Sequence, residues 1–79
     1  MKLFMVSVSD KKSFDVAWLE VNTAEGNFVM QRGHAPMILI LSPNKPLVYC
    51  LQNGKEESTT IPGGILHINR EEATVVLTH

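Results

Sequence analysis

Four side chains in this 79-residue sequence could carry nucleophilic or metal-binding chemistry: Cys50, His34, His67 and His79. A cysteine nucleophile needs its thiolate, which forms beside a cation or at a helix N-terminus. Cys50 falls between Tyr49 and Leu51 in a run of strand-forming residues, where a buried, inert thiol is the expected state. The histidines and the cysteine do not form Cys-x-x-Cys or His-x-x-x-His pairs, the spacing by which small domains hold zinc. Pro62-Gly63-Gly64 has the glycines of a phosphate cradle, but it leads into a strand and no Lys-Ser/Thr follows. Neither a helix dipole nor an ammonium is then on hand, and the tripeptide reads as a kink or bulge where two backbones come close. No catalytic residue, cofactor or metal site is expected.

The most informative tetrapeptide is Gly33-His34-Ala35-Pro36. Glycine permits an unusual backbone angle and proline fixes the next one, so an imidazole is held between them at the start of an apolar strand. His34 there either bonds a loop carbonyl or is presented to a partner. His67 alternates with Ile65 and reads as a partly exposed strand residue, and His79 is terminal.

The elements that must position these residues read as strands throughout. Helical periodicity needs apolar residues at i, i+3, i+4 and i+7 over ten or more positions, and no window offers this without an internal proline or glycine. Strands are expected over residues 3–8, 15–21, 28–30, 37–41, 47–52, 57–61, 64–69 and 73–78. In the second, Ala17, Leu19 and Val21 would share one face and Val16, Trp18 and Glu20 the other, with Trp18 at an interface or in the core. A turn-rich stretch over residues 22–27 separates it from the third. Residues 37–41, Met-Ile-Leu-Ile-Leu, are apolar on both faces, which suits a strand held between two layers or between the domain and a partner. Asn53-Gly54 predicts a type I′ hairpin turn, and residues 69–72 a second hairpin connection. So many short strands without a helix predict an all-β fold, a β-sandwich or flattened barrel of two roughly five-stranded antiparallel sheets in one domain over residues 1–79.

Composition narrows the function. Seven basic and eight acidic side chains leave a formal net charge of -1, so the clustered cationic excess needed to neutralise phosphates is missing and nucleic acid is not an expected partner. The charged fraction, 19%, is low for a soluble domain, which points to surface covered by another protein. No apolar run reaches the ~18 residues of a membrane span. A single cysteine allows no internal disulfide, and the N-terminus lacks the apolar core and cleavage site of a secretory signal, so a reducing, intracellular setting is expected. A domain this small buries only about 60% of the surface its unfolded chain exposes, so it is expected to be modestly stable without a partner.

An ordered set of blocks carries a family resemblance: Glu25-Gly26, six residues, Gly33-His34-Ala35-Pro36, the strand over residues 37–41, a proline-bearing turn, then Gly63-Gly64-Ile65-Leu66 and Ala73-Thr74-Val75-Val76-Leu77. It resembles the N-terminal domain of the epsilon subunit of F-type ATP synthases, called delta in mitochondria. The resemblance implies a non-catalytic central-stalk rotor subunit, peripheral on the cytoplasmic face of the bacterial inner membrane. Such a subunit is seated on gamma and meets the polar loops of the c-ring, so that ion translocation is coupled to ATP synthesis; its membrane contact is through the complex alone. Ser7, His34 and Leu39 match the face that packs on gamma, and Glu25, Gly26, Asn27 and Phe28 the loop that meets the ring. Asn27 stands where the family often has an acidic residue, implying an uncharged hydrogen bond there. Val29 replaces a common glycine and Arg32 a common proline. The family commonly continues into a two-helix C-terminal domain, whereas this sequence stops at His79, which implies either a short form of the family or a chain truncated before that domain. The alternative is a free-standing β-sandwich interaction module with another partner, since fold alone does not fix function.

Overall fold

A computed structural model describes residues 1–78, and strands dominate them. β1 is Lys2–Val6, β2 Lys11–Thr23, β3 Gly26–Gln31, β4 Met37–Leu41, β5 Lys45–Leu51, β6 Glu56–Ile61, β7 Gly64–Ile68 and β8 Glu72–Leu77. The all-β sandwich expected from the sequence is the fold observed. Its pairings divide around β2, which joins β3, β5 and β6 on one side of the molecule and β1, β8, β7 and β4 on the other. A single β2–β4 pair, Thr23 with Leu41, closes the second group into a ring, the flattened-barrel aspect of the fold. The two groups have four and five strands, β2 counted in both.

Two details depart from the expected all-antiparallel, short-stranded picture. β1 and β8 pair in parallel; they come from opposite ends of the chain, so no hairpin imposes the antiparallel sense. β2 runs for 13 residues from Lys11, four earlier than its apolar residues suggest, because its polar start is held by the ladder to β1, from Val6 with Lys11 to Lys2 with Asp15.

The core draws on every strand. Leu3, Leu19, Met30, Leu47, Leu66 and Ile68 are fully buried, and Leu41, Ile61, Ala73 and Val75 join them from the remaining strands. Val16 is also fully buried, on the same side as Leu19 and Val21, although strict alternation would put it opposite. The reason is a bulge: Val16 pairs with Leu51 and Trp18 with the next residue, Cys50, so Ala17 has no partner on β5. One extra residue switches the facing parity of everything after it. Ala17 is exposed and Trp18 half-buried, while Cys50 is buried.

The hairpin at Asn53-Gly54 forms with a different turn from the expected type I′. Gly54 N–H donates to the Leu51 carbonyl at 2.9 Å and Gly54 takes φ +91°, while Asn53 stays at negative φ. The Asn53 side chain instead accepts from Lys55 N–H at 2.9 Å, so a three-residue loop with one left-handed glycine replaces the two-residue turn. The β7–β8 connection is held by Asn69, whose Oδ1 accepts from Glu71 N–H at 3.0 Å and Glu72 N–H at 2.8 Å. Pro62-Gly63-Gly64 is the close approach expected: a Cβ on Gly64 would collide with the Val76 backbone carbonyl.

Candidate functional site: an apolar sheet face and a polar hairpin

The outer face of β1, β8, β7 and β4 carries two side-chain rows, fixed by register. One row runs Phe4, Thr74, His67, Ile38 and the other Val6, Val76, Ile65, Ile40. Both are outward positions of strands whose alternate residues enter the core, a consequence of the period of two along a strand. Ile38 is 68% exposed, Ile40 77%, Ile65 49% and Val76 50%. Four branched aliphatic side chains so placed on a small sheet make a contiguous apolar patch, the kind of surface that marks a contact site.

Leu39 is turned the other way. It pairs with the fully buried Leu66 and packs, half-buried, against the core. Leu39, which the resemblance matches to the partner face, thus lies on the core side of β4, and its neighbours Ile38 and Ile40 are the exposed ones. The signal was present in the sequence, because five consecutive apolar residues leave a strand with an apolar outer side. Ile65 and Val76 were not foreseen as a surface, since alternation in β7 and β8 had to be combined with the pairing of β7 to β4.

Ser7 and His34 lie at opposite ends of this face. β1, β8 and β4 run in one direction, so Ser7 follows the C-terminal end of β1 whereas His34 precedes the N-terminal end of β4, separated by a strand length of about 17 Å. Ser7 closes the β1–β2 turn, its N–H donating to the Asp10 carbonyl at 2.8 Å and its hydroxyl to the same carbonyl at 3.3 Å. It also lines a cleft with Met5, Ile61 and Leu77. His34 is held at both backbone and ring: its N–H donates to the Gln31 carbonyl at 3.1 Å, and Nδ1 donates to the Ala35 carbonyl at 2.8 Å, leaving Nε2 for a neighbour. Gly33, at φ +86°, donates its N–H to the Arg70 carbonyl at 2.9 Å, which fastens this loop to the β7–β8 turn.

The second region is the tip of the β2–β3 hairpin. The ladder continues to Thr23 with Gly26, so only Ala24 and Glu25 are unpaired and the expected six-residue loop shrinks to a tight turn. Thr23 makes it tight: its Oγ1 accepts from Glu25 N–H at 3.1 Å and donates to the Gly26 carbonyl at 3.0 Å. Gly26 supplies the positive φ, +125°. Asn27 points outward, and its amide donates to Glu20 Oε2 at 3.0 Å and Asn22 Oδ1 at 3.3 Å. Asn22 in turn donates to the Pro46 carbonyl at 3.2 Å, so a polar string crosses β3, β2 and β5. Phe28 faces inward against the core, and the exposed apolar residue of β3 is Val29. Of the four residues expected to meet a second partner, Glu25, Gly26 and Asn27 are on the surface while Phe28 backs them from within. Ser42 N–H donates to the Asn22 carbonyl at 2.9 Å, tying this hairpin to the C-terminal end of β4.

No helix of the described residues is long and apolar enough to cross a membrane. The profile of the family described as ATP synthase, Delta/Epsilon chain, beta-sandwich domain, matches residues 1–79. This chain belongs to that family. It is 34% identical over 77 residues to proteins named ATP synthase epsilon chain from Acinetobacter baumannii and Acinetobacter baylyi, a match covering 96% of this chain and 55% of each relative. The chain thus spans about half the length of the curated relatives it matches. Its fold superposes with a TM-score of 0.89 on a chain in the cryo-EM structure of Euglena gracilis mitochondrial ATP synthase, OSCP/F1/c-ring, at 24% identity, covering 98% of this chain and 49% of that one. It superposes with a TM-score of 0.81 on a chain in the central stalk/c-ring structure of the Tetrahymena thermophila mitochondrial enzyme, at 15% identity, covering all of this chain and 63% of that one. In this fold the Gly33-His34-Ala35-Pro36 block turns the chain from β3 into the apolar strand β4.

Proposed function

We propose that this chain is a non-catalytic central-stalk subunit of an F-type ATP synthase, acting as one rigid domain over residues 1–79 that grips gamma with one face and meets the c-ring with another. The observation that carries the reading is the uncovered apolar outer face of β4, β7, β8 and β1. Ile38, Ile40, Ile65 and Val76 stand in water there, and full burial of such a side chain stabilises a contact by about 1.5–3 kcal/mol. Ser7 and His34 flank the two rows, so one footprint on gamma reaches both, and Leu39 supports β4 from beneath.

The ring contact falls to the β2–β3 tip. Its amide and carbonyl groups suit the polar loops of c subunits, and Asn27 offers its Oδ1 as an acceptor because its donors already serve Glu20 and Asn22. The two contact regions share β2, which pairs with β1 at one end and with β3 at the other. A load applied at the hairpin is thereby borne by a continuous strand whose backbone hydrogen bonds run into the gamma-binding sheet. That is the mechanical part of a rotor element: coupling without bond-making chemistry. On this reading the subunit works at the cytoplasmic face of the bacterial inner membrane, peripheral to the bilayer.

The test is co-purification of this chain with its gamma subunit, with Ile40→Asp as the discriminating variant. Capture by gamma that is lost in Ile40→Asp, at unchanged thermal stability, supports the reading. Failure of the unaltered chain to bind gamma favours a free-standing interaction module.

A further inference from the structure

The apolar face has one titratable side chain in its middle. His67 lies on β7 between Ile38 of β4 and Thr74 of β8, with Ile65 two residues away on the same side of its own strand. β4 carries no charged residue along Met37–Leu41. On β8 the charge on this face is Glu72, two residues from Thr74 toward the end of the sheet. Beyond β8, Lys2 pairs with Glu72, and Lys11 of β2 is stacked over Phe4 at 5.4 Å. Arg32, His34, Arg70 and Glu71 belong to the two connections at that same end, where Arg32 and Glu71 form an exposed pair at 3.5 Å. The positions directly beside the imidazole are thus aliphatic or hydroxyl. No carboxylate stands across from it to compensate a positive ring.

We infer that docking through this face requires a neutral His67, so that binding of this chain to its partner weakens as the imidazole takes up a proton. The inference rests on the gamma-docking reading above. A partner that covers Ile38, Ile65 and Ile40 must also remove water from the ring between them. A neutral imidazole enters such a contact at modest cost, with the Thr74 hydroxyl beside it able to accept or donate a hydrogen bond. An imidazolium would be desolvated with no carboxylate directly beside it, since Glu72 stands two residues along β8 and is paired across from Lys2. Histidine is the side chain whose type changes charge between pH 5 and 8, so that is the range in which the coupling is sought. His67 is in this sense a specificity-determining residue of the face: it admits an apolar surface with hydrogen-bonding capacity and disfavours one that adds positive charge.

The experiment measures the affinity of the full 79-residue chain for immobilised gamma at about pH 7.5 and about pH 5.5, for the unaltered chain, His67→Gln, His67→Leu and His34→Gln. The unaltered chain should bind about tenfold more weakly at the lower pH. His67→Gln should lose most of that difference and His67→Leu all of it, each variant being compared with its own affinity at the higher pH, while His34→Gln should retain the difference. Because gamma is common to all arms, its own titration cancels in the comparison. Binding that is independent of pH, or tighter at low pH, in the unaltered chain overturns the inference and leaves the docking reading intact. A pH dependence that survives in both His67 variants overturns it as well, and its loss in His34→Gln assigns it to the flanking loop instead. No binding of the unaltered chain at either pH overturns the docking reading, and the inference with it.

Discussion

The outer face of β4–β7–β8–β1 and the tip of the β2–β3 hairpin are both surface, yet their side chains are organised in opposite ways. On the face, Ile38, Ile40, Ile65 and Val76 meet water with nothing to bond. At the tip, Thr23, Glu25, Asn27, Glu20 and Asn22 are hydrogen-bonded to one another or to nearby backbone. A surface of the first kind gains free energy when any complementary dry surface covers it. One of the second kind has satisfied groups already, so a partner there exchanges hydrogen bonds for hydrogen bonds and gains about 1 kcal/mol or less for each. Under the proposed function the contrast becomes a division of labour, with affinity assigned to the face and position to the hairpin.

The largest test of this contrast uses two glycines, one in each region. At Gly64, at the margin of the face, a Cβ would strike the Val76 backbone carbonyl, and backbone cannot rotate away. Gly64→Ala should lose about 3 kcal/mol, at the upper end of overpacking costs, which corresponds to a fall in Tm of more than about 10 °C for a domain of this size. At Gly26 the space is open and only the positive φ objects. Gly26→Ala should lose about 1–2 kcal/mol. Urea denaturation of both variants decides it, and equal losses would contradict the assignment of one to collision and the other to strain.

Next in size is a pair of adjacent positions. Leu39→Asp puts a carboxylate against the core and should cost about 2–3 kcal/mol of stability. Ile40→Asp, one residue on and facing out, should stay within about 0.5 kcal/mol of the parent while weakening gamma binding at least about tenfold. Thermal melts beside binding isotherms separate the two, and a destabilised Ile40→Asp would mean that the outer face is part of the fold's own core.

A smaller effect is expected at the hairpin. Asn27→Ala removes the bonds to Glu20 and Asn22, both exposed, and should change stability by no more than about 1 kcal/mol. If it abolishes assembly with gamma, the tip carries affinity and the division of labour fails.

The smallest effect concerns acid. Asp15, where β2 pairs with β1, accepts from Gln52 Nε2 at 3.3 Å and from the Met1 ammonium at 3.4 Å. The Gln52 hydrogen bond, and after it the ammonium, hold its carboxyl below the usual carboxylate value. A group depressed in the folded state contributes stability above its unfolded pKa and loses it as pH falls through the folded value. Acid titration of the melting temperature below about pH 4 should therefore be slightly less steep in Asp15→Asn than in the parent. The carboxyl is solvent-exposed, so the change should be small, and a large one would mean that the β1–β2 ladder depends on this contact.

Much of this was legible without coordinates. Strand after strand was marked by alternating apolar residues and by Gly, Pro and Asn punctuation, and the blocks from Glu25-Gly26 to Ala73–Leu77 were enough for the family. Residue roles were harder. Leu39 matches the partner face in the family pattern, yet successive residues of a strand fall on opposite sides, so in β4 Ile38 and Ile40 point outward while Leu39 packs against the core. Phe28 turned inward for the same reason, leaving Val29 outside.

What the sequence determined by itself is local: backbone preference, strand period and turn chemistry act within a few residues, so the all-β fold, the hairpins and the apolar character of β4 are written in order along the chain. Register is decided by contacts between residues far apart. The bulge at Ala17 lies where β2 passes from its ladder with β1 to its ladder with β5, and it brings Leu19 and Val21 to the side that Val16 already occupies. β1 lies parallel to β8, a pairing between segments too far apart in sequence for any local signal to set its sense. The rows from Phe4 to Ile38 and from Val6 to Ile40 each combine four strands separated by loops of every length. No local rule aligns such residues, because their adjacency is set by the burial of the opposite side of the same sheet.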